Sequence, residues 1–189
     1  MAAVSAFFTA FGLASTAGLN AYIPLLVTGL VARYTDLITL PSPFNALENI
    51  WVLLTLAVLL LIEMTVDKIP AVDTLNDVVH TIVRPAAGAI LFAGQAGHIG
   101  IDPTLAIILG LLAAGSVHAT KAAVRPAITA TTAGLGNPIV SLIEDVFALI
   151  GSLLAILLPV VMVVLLVLVA ILLVRWWFGR RARRERPFA

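Results

Sequence analysis

The feature of this sequence that most constrains its fold is an apolar run long enough to cross a lipid bilayer. Over residues 153–174, only Pro159 interrupts a series of Leu, Val, Ile, Ala and Met. At 1.5 Å per residue the run forms about 33 Å of helix, and the hydrocarbon core of a bilayer is about 30 Å thick. A second run, Ile50–Val66, is shorter and carries Glu63 near its end. Both runs predict membrane-crossing helices.

The composition supports this interpretation. Of the 189 residues, 61% are hydrophobic and 11% are charged, whereas a soluble domain has about 25% charged residues. The chain has no cysteine, which excludes disulfides, thiolate catalysis and sulfur-ligated metals. A chain with so little polar surface is expected to be embedded in a membrane.

We predict an all-α polytopic membrane protein with about four full transmembrane helices. The first span is expected to kink or unwind over residues 17–21, around Gly18 and Asn20, because Gly and the nearby Pro24 weaken a helix. Two stretches are too polar or too broken for ordinary spans, and we predict that they are re-entrant or broken helical hairpins. The spans cover residues 4–32, 50–66, 103–117 and 153–174, and the hairpins cover residues 67–100 and 118–150, the latter ending in a short apolar helix at 137–150.

The charge distribution predicts the orientation. Five of the eleven Lys and Arg residues fall in the last ten positions, directly after Trp176 and Trp177. A tryptophan belt followed by a basic tail is typical of a cytoplasmic end, and it fits a nucleic-acid-binding segment less well. We therefore expect one transmembrane domain over residues 1–178 and a basic cytoplasmic tail over residues 179–189. Four spans would place the N-terminus in the cytoplasm too, in a multi-pass protein of the inner (plasma) membrane.

An internal repeat supports the pair of hairpins. Residues 77–86 align without gaps on residues 118–127, and both contain Val-Arg-Pro-Ala in the same frame. Opposed hairpins related by such a repeat occur in transporters, so we predict an inverted repeat. A residue before proline is pushed out of the helical region, and helices are therefore expected to end at Arg84 and Arg125.

Charged residues inside apolar segments are the candidates for function, because each is costly in a membrane. Helical spacing of three or four places Asp73, Asp77, His80 and Arg84 on one face, and His118, Lys121 and Arg125 on another. The candidate anion-binding residues are Arg84, Arg125, Lys121, Lys68 and Asn20. The candidate ion-pair or proton-relay residues are Glu63, Asp67, Asp73, Asp77, His80, His118, Glu144 and Asp145.

Three segments resemble a known family. They are Ala-Gly-Leu-Asn-Ala-Tyr-Ile-Pro at residues 17–24, Asp-Lys-Ile-Pro-Ala-Val-Asp at residues 67–73, and the stretch from His118 to Pro126. These segments are similar to the bacterial membrane family catalogued as domain of unknown function 4126. The resemblance implies a polytopic membrane protein and gives no activity.

The leading functional hypothesis is a small transporter or lipid translocator for an anionic substrate that carries phosphate or carboxylate. The arginines at the expected helix breaks would bind the anion in bidentate fashion. The main alternative is a membrane scaffold or assembly subunit in which the same charges form structural ion pairs. An enzyme is not expected, nor is a metal or another cofactor. The expected partners are membrane lipids, the anion and a second copy of the chain, since the span at 103–117 is rich in Gly and Ala.

Overall fold

The computed structural model describes residues 2–66 and 70–184, except for the side chains of residues 2, 70–77, 163, 173 and 176–184. This part of the chain forms eight α-helices and one short 3-10 helix, with no strand, which confirms the all-helical prediction. The helices are α1 (Ala2–Ala17), α2 (Tyr22–Tyr34), the 3-10 helix (Phe44–Glu48), α3 (Ile50–Val66), α4 (Pro70–Ala93), α5 (Ala96–Ile99), α6 (Pro103–Thr132), α7 (Asn137–Leu157) and α8 (Pro159–Arg184).

The predicted break near Gly18 and Asn20 is confirmed. The α1 helix ends at Ala17, and the side chain of Asn20 starts α2 by accepting hydrogen bonds from the backbone N–H groups of Tyr22 (2.9 Å) and Ile23 (3.1 Å). Asparagine is a strong N-cap residue because its side-chain oxygen satisfies N–H groups that have no partner within the helix. The chain therefore makes a turn between two short helices.

The two short helices form a hairpin, and the prediction of a single span over residues 4–32 is wrong. At the start of α1, the Phe7 ring meets the Phe92 ring edge-on at 5.7 Å. After the end of α2, the Thr39 hydroxyl lies 3.0 Å from Nε2 of His98. Both ends of the hairpin thus lie beside α5 and the end of α4. The reason is that Asn20 starts a separate helix in a new direction, whereas a kink would only bend a single helix that continues across.

The α4 and α6 helices are continuous, so the helix ends predicted at Arg84 and Arg125 are wrong. Pro85 lies inside α4 and Pro126 lies inside α6. Proline removes one backbone donor and kinks a helix, but the helix persists where neighbouring helices hold it. Here α4 and α6 pack with backbone against backbone, since a Cβ on Gly110 would lie 2.7 Å from Cα of Ala89. Within the predicted hairpin segments, α4 is therefore one helix from Pro70 to Ala93, and residues 118–150 cover the end of α6, a turn and most of α7.

A further boundary differs at the apolar run of residues 153–174. The α7 helix extends past the predicted residue 150 to Leu157, and Pro159 begins α8. Proline suits the first position of a helix, where its missing N–H would have no partner. The run therefore contributes to two helices. The α3 helix, by contrast, has the predicted bounds Ile50–Val66.

Small residues of α6 pack inside the chain. Ala114 is fully buried, and a Cβ on Gly88 of α4 would lie 2.5 Å from the Ala114 side chain. The Gly/Ala-rich stretch at 103–117 was the sequence argument for a homodimer. Because Gly110 and Ala114 face α4, they are used for packing within one chain.

Apolar side chains face outwards along most of the helices. Trp51 is 73% exposed, Ile82 76% and Leu135 81%, whereas Arg84 is fully buried. Water-soluble domains have the opposite tendency, with charged side chains outside. Among the described residues, α6 and α7 are long and apolar enough to cross a membrane by length and composition.

Candidate functional site

A cluster of charged side chains lies in the interior, between α3, α4, α6, α7 and the turn that joins α1 to α2. Each of its central members is at most 8% exposed. These members are Glu63, His80, Arg84, His118, Lys121 and Arg125. Buried charges are costly unless they are paired, so their contacts show what the cluster can do.

Arg84 of α4 lies at one end of the cluster. Its Nη2 donates to Oε1 of Glu63 in α3 at 3.0 Å, and its Nη1 lies 3.1 Å from Nδ1 of His118 in α6. The same Oε1 of Glu63 is 3.3 Å from Nε2 of His80, whose ring meets the Tyr22 ring edge-on at 5.8 Å. One carboxylate oxygen thus holds two side chains that lie one turn apart on α4.

The contact with Arg84 selects one tautomer of His118. A guanidinium can only donate, so Nδ1 of His118 must accept and carries no proton. The other ring nitrogen, Nε2, then carries the proton and lies 3.2 Å from the Thr81 hydroxyl. A proton added at Nδ1 of His118 would face the Arg84 donor.

Lys121 lies one turn further along α6, next to the α1–α2 turn. Its Nζ is 2.6 Å from Oε2 of Glu144 in α7 and donates to the backbone carbonyl of Leu19 at 3.2 Å. The Arg84 and Arg125 guanidinium groups are both near enough to repel the Lys121 ammonium. Lys121 thus lies between the two arginines in one electrostatic environment.

Arg125 lies at the other end of the cluster. Its Nη2 donates to the hydroxyl of Ser141 in α7 at 2.6 Å. One turn beyond, the side chains of Thr129 and Asn137 exchange hydrogen bonds at 3.1 and 3.2 Å. Polar contacts therefore continue along the interface between α6 and α7 to the end where the two helices join.

Asn20 connects the α1–α2 turn to α7. While its oxygen caps α2, its Nδ2 donates to Oδ1 of Asp145 at 2.9 Å. The residue is 1% exposed. Asn20 and Leu19 thus bind α7 and α6 from the same turn.

Aligned positions of the sequence repeat are buried alike. Arg84 and Arg125 are 0% and 6% exposed, and the pair formed by His80 and Lys121 is 2% and 8% exposed. Each arginine precedes a proline inside a continuous helix. The two copies of the repeat therefore lie on neighbouring faces of α4 and α6, and their basic side chains point into the same interior.

The structure brings together most of the candidate residues named from the sequence. These are Asn20, Glu63, His80, Arg84, His118, Lys121, Arg125, Glu144 and Asp145. Asp67 and Lys68 lie outside the described residues, and so do the side chains of Asp73 and Asp77 and of the arginine-rich tail.

Sequence reasoning missed the neutral partners of the cluster. Ser141 precedes Glu144 and Asp145 by three and four residues, so helical spacing alone could have placed it on their face. The Leu19 carbonyl has no sequence signal, since any residue carries one. Tyr22 and Thr81 could be found only from the packing of α2 and of α6 against α4.

The fold and the site define a class of protein: an all-helical chain with apolar side chains outside, charged ones inside, and two helices of membrane-crossing length. The chain belongs to the family described as Domain of unknown function (DUF4126), whose model matches residues 7–178. This membership confirms the resemblance found in the three sequence segments. No curated protein and no solved structure matches the chain.

Proposed function

We propose that this chain is a polytopic membrane protein that moves an anionic substrate, carrying phosphate or carboxylate, as a small transporter or lipid translocator. The inside-out distribution of side chains supports the membrane location, because exposed apolar helices suit lipid and buried charges mark substrate pathways. The observation that carries the transport proposal is a group of three interior cations, in which the Lys121 ammonium is near enough to be repelled by both the Arg84 and the Arg125 guanidinium.

The proposed topology has five crossings, made by α3, α4, α6, α7 and α8. Contacts between successive helices support antiparallel packing, since Arg84 meets His118 near the middle of α4 and α6, while Gly88 meets Gly110 nearer to the α5 end. The α1–α2 pair is a re-entrant hairpin, because α1 spans only about 24 Å at 1.5 Å per residue. The basic tail is cytoplasmic, and the hairpin then puts the N-terminus on the opposite face, contrary to the sequence prediction.

Arginine suits the proposed anion site because its planar fork binds two oxygens of phosphate or carboxylate at once. In the described arrangement, Arg84 is held by Glu63 and His118, and Arg125 by Ser141. A substrate anion would exchange for one of these partners. Such an exchange keeps each buried guanidinium paired, which lowers the cost of moving between two states.

His118 offers a means of coupling the exchange to a proton. Protonation of Nδ1 would set two donors against each other at the 3.1 Å contact with Arg84. The Arg84 guanidinium would then have to turn away, and it would become available to an anion. Proton entry and anion binding would thus favour the same state.

A second function, that of a non-transporting scaffold or assembly subunit, is favoured by the close ion pairs. Arg84 bonds Glu63 at 3.0 Å, and Lys121 lies 2.6 Å from Glu144. A purely structural role, in which such pairs fix neighbouring helices together, is enough to explain them. In that case no anion would bind at the arginines.

Thermal unfolding of the purified protein in detergent separates the two functions. Inorganic phosphate and a short-chain phosphatidic acid are added in turn, because a ligand that binds only the folded state stabilises it, by about 2.7 kcal/mol at a hundredfold excess over Kd. Transport predicts a higher melting temperature, and a smaller gain in Arg84→Lys and Arg125→Lys, where a point charge replaces a fork. If neither anion changes the melting temperature of the wild type, the transport proposal is contradicted.

The matched control is Arg33→Lys. Arg33 is exposed and donates to the Glu48 carbonyl at 2.7 Å, so it bonds a neighbour without belonging to the cluster. Its replacement should leave the anion-dependent shift unchanged. An equal loss of the shift in Arg33→Lys would indicate nonspecific binding of anions to surface charge.

A further inference from the structure

The turn between α1 and α2 leaves one backbone carbonyl for an outside donor. In an uninterrupted helix, the N–H of Ile23 would donate to the carbonyl of Leu19 four residues earlier. Here the Ile23 N–H donates to the Asn20 side chain instead, at 3.1 Å. The Leu19 carbonyl is therefore released from the helix pattern, and it accepts from Nζ of Lys121.

The same ammonium lies 2.6 Å from the Glu144 carboxylate. Unwound backbone carbonyls at helix breaks coordinate small cations in membrane transporters, and the Glu144 carboxylate adds a negative charge beside the Leu19 carbonyl. Glu144 is 15% exposed at its side chain and Lys121 4%, so the two charges meet away from the outer surface. The Lys121 ammonium thus lies between a carboxylate and a released backbone carbonyl.

Close packing holds the turn at this position. A Cβ on Gly18 would lie 2.6 Å from Cβ of Val117, one helical turn before Lys121 on α6. From the α7 side, Asp145 accepts from Asn20 at 2.9 Å. Gly18 and Asn20 thus hold Leu19 on both sides through contacts that do not involve Lys121.

We propose that Leu19 and Glu144 form a binding site for a small monovalent cation with N–H donors, and that Lys121 is its tethered occupant. Because Lys121 belongs to α6, its charged Nζ links α6 both to Leu19 in the hairpin and to Glu144 in α7. Once the side chain is shortened, a free primary ammonium ion should bind in its place. This inference holds whether or not the protein transports an anion.

The test uses the full chain with Lys121→Ala. Alanine keeps Cβ and removes a fragment equivalent to n-propylammonium, so this ion is the probe. Its addition should raise the melting temperature of Lys121→Ala with the logarithm of its concentration, and should leave that of the wild type unchanged. Tetramethylammonium, which has no N–H donor, should give no such shift. An equal shift with both ions would indicate charge screening and would overturn the proposal.

Two control variants complete the test. In Lys121→Ala/Glu144→Ala the carboxylate is gone, and the response to propylammonium should disappear. Arg33→Ala removes an exposed cation that also bonds a backbone carbonyl, and it should not respond to propylammonium. Lys121→Ala is also expressed and purified with and without propylammonium. A failure to obtain folded protein in both buffers counts against the proposal, because the free ion should replace the tethered one.

Discussion

The Arg84 guanidinium donates to the Glu63 carboxylate at 3.0 Å, with Arg84 fully buried and Glu63 3% exposed. The two residues join α4 to α3 at the level where His118 joins α4 to α6. The pair therefore connects three helices through one guanidinium. Neither charge could remain at this depth if its partner were removed without replacement.

Glu63→Ala should lower the free energy of unfolding by about 3–5 kcal/mol, the usual cost of removing one partner from a buried ion pair. The reason is that the substitution removes the carboxylate that holds both Arg84 and His80. Denaturant unfolding in detergent measures the loss. Asp36→Ala, an exposed carboxylate in the loop after α2, is the matched control and should change stability little. Equal stability of the two variants would contradict the central position assigned to the pair.

Gly18→Ala should destabilise the protein by about 1–3 kcal/mol, because overpacking forces backbones apart. The new Cβ would lie 2.6 Å from Cβ of Val117 and closer still to the Ala114 carbonyl. Gly115→Ala on α6 is the matched control, since its Cβ would meet only Pro85, at 3.9 Å. Alanine is favoured over glycine inside a helix by about 1 kcal/mol, so this control should be neutral or stabilising in the same unfolding experiment.

Asp102 should make the start of α6 sensitive to acid. Its side chain caps the helix by accepting from the N–H groups of Thr104 at 2.8 Å and Leu105 at 3.3 Å. The Thr104 N–H above all, with the Thr104 hydroxyl and the Leu105 N–H, lowers the pKa of Asp102 from its ordinary value. A carboxylate with a lowered pKa stabilises the folded state fully above its ordinary value of about 3.9, and the effect is lost as the pH falls through the folded-state pKa.

Hydrogen exchange in the first turn of α6 checks this expectation. Protection in the wild type should fall, relative to Asp102→Asn at each pH, as the pH drops below about 3.9. Asparagine caps a helix nearly as well and does not titrate in this range, so it is the control for the cap itself. A constant ratio of protection between the two proteins down to pH 2 would show that the carboxylate charge plays no part.

Residues with a local physical signal were predictable from the sequence. The start of α3 at Ile50 was predictable because an apolar run begins there, and the break near Asn20 because Gly18 and Pro24 weaken a helix. Spacing of three and four also placed Lys121 and Arg125 on the face they share. Each of these features depends on residues within a few turns of one another.

The predictions that were wrong concern helix ends and chain direction, which depend on how the helices pack against one another. A proline after Arg84 or Arg125 predicts a helix end from local sterics, but α4 and α6 support each other through Gly88 and Gly110 and continue past it. The return of α2 alongside α1 could not be predicted either, because a kink and a hairpin need the same Gly and Asn. Contacts between distant parts of the chain, such as those of Thr39 with His98 and of Phe7 with Phe92, separate them.

The membrane topology provides the last prediction. Because α1 and α2 return to the same end of the molecule, the N-terminus and the loop at Ser42 should lie on one face of the membrane. Five crossings then separate Ser42 from Ala189, and the tryptophans and arginines before Ala189 predict that it is cytoplasmic. Single cysteines at Ala3, Ser42 and Ala189, in a chain that has none of its own, can be labelled in intact cells with a membrane-impermeant maleimide.

Labelling at Ala3 and Ser42, with protection at Ala189 until the cells are opened, is the expected outcome. The control is a cysteine at Ala114, which is fully buried and should stay unlabelled in both conditions. Protection at Ala3 with labelling at Ser42 would mean that the first segment crosses the membrane, as the sequence alone predicted. Leu19 would then not be the tip of a hairpin, and the contact between its carbonyl and Lys121 would have to arise from a kinked span.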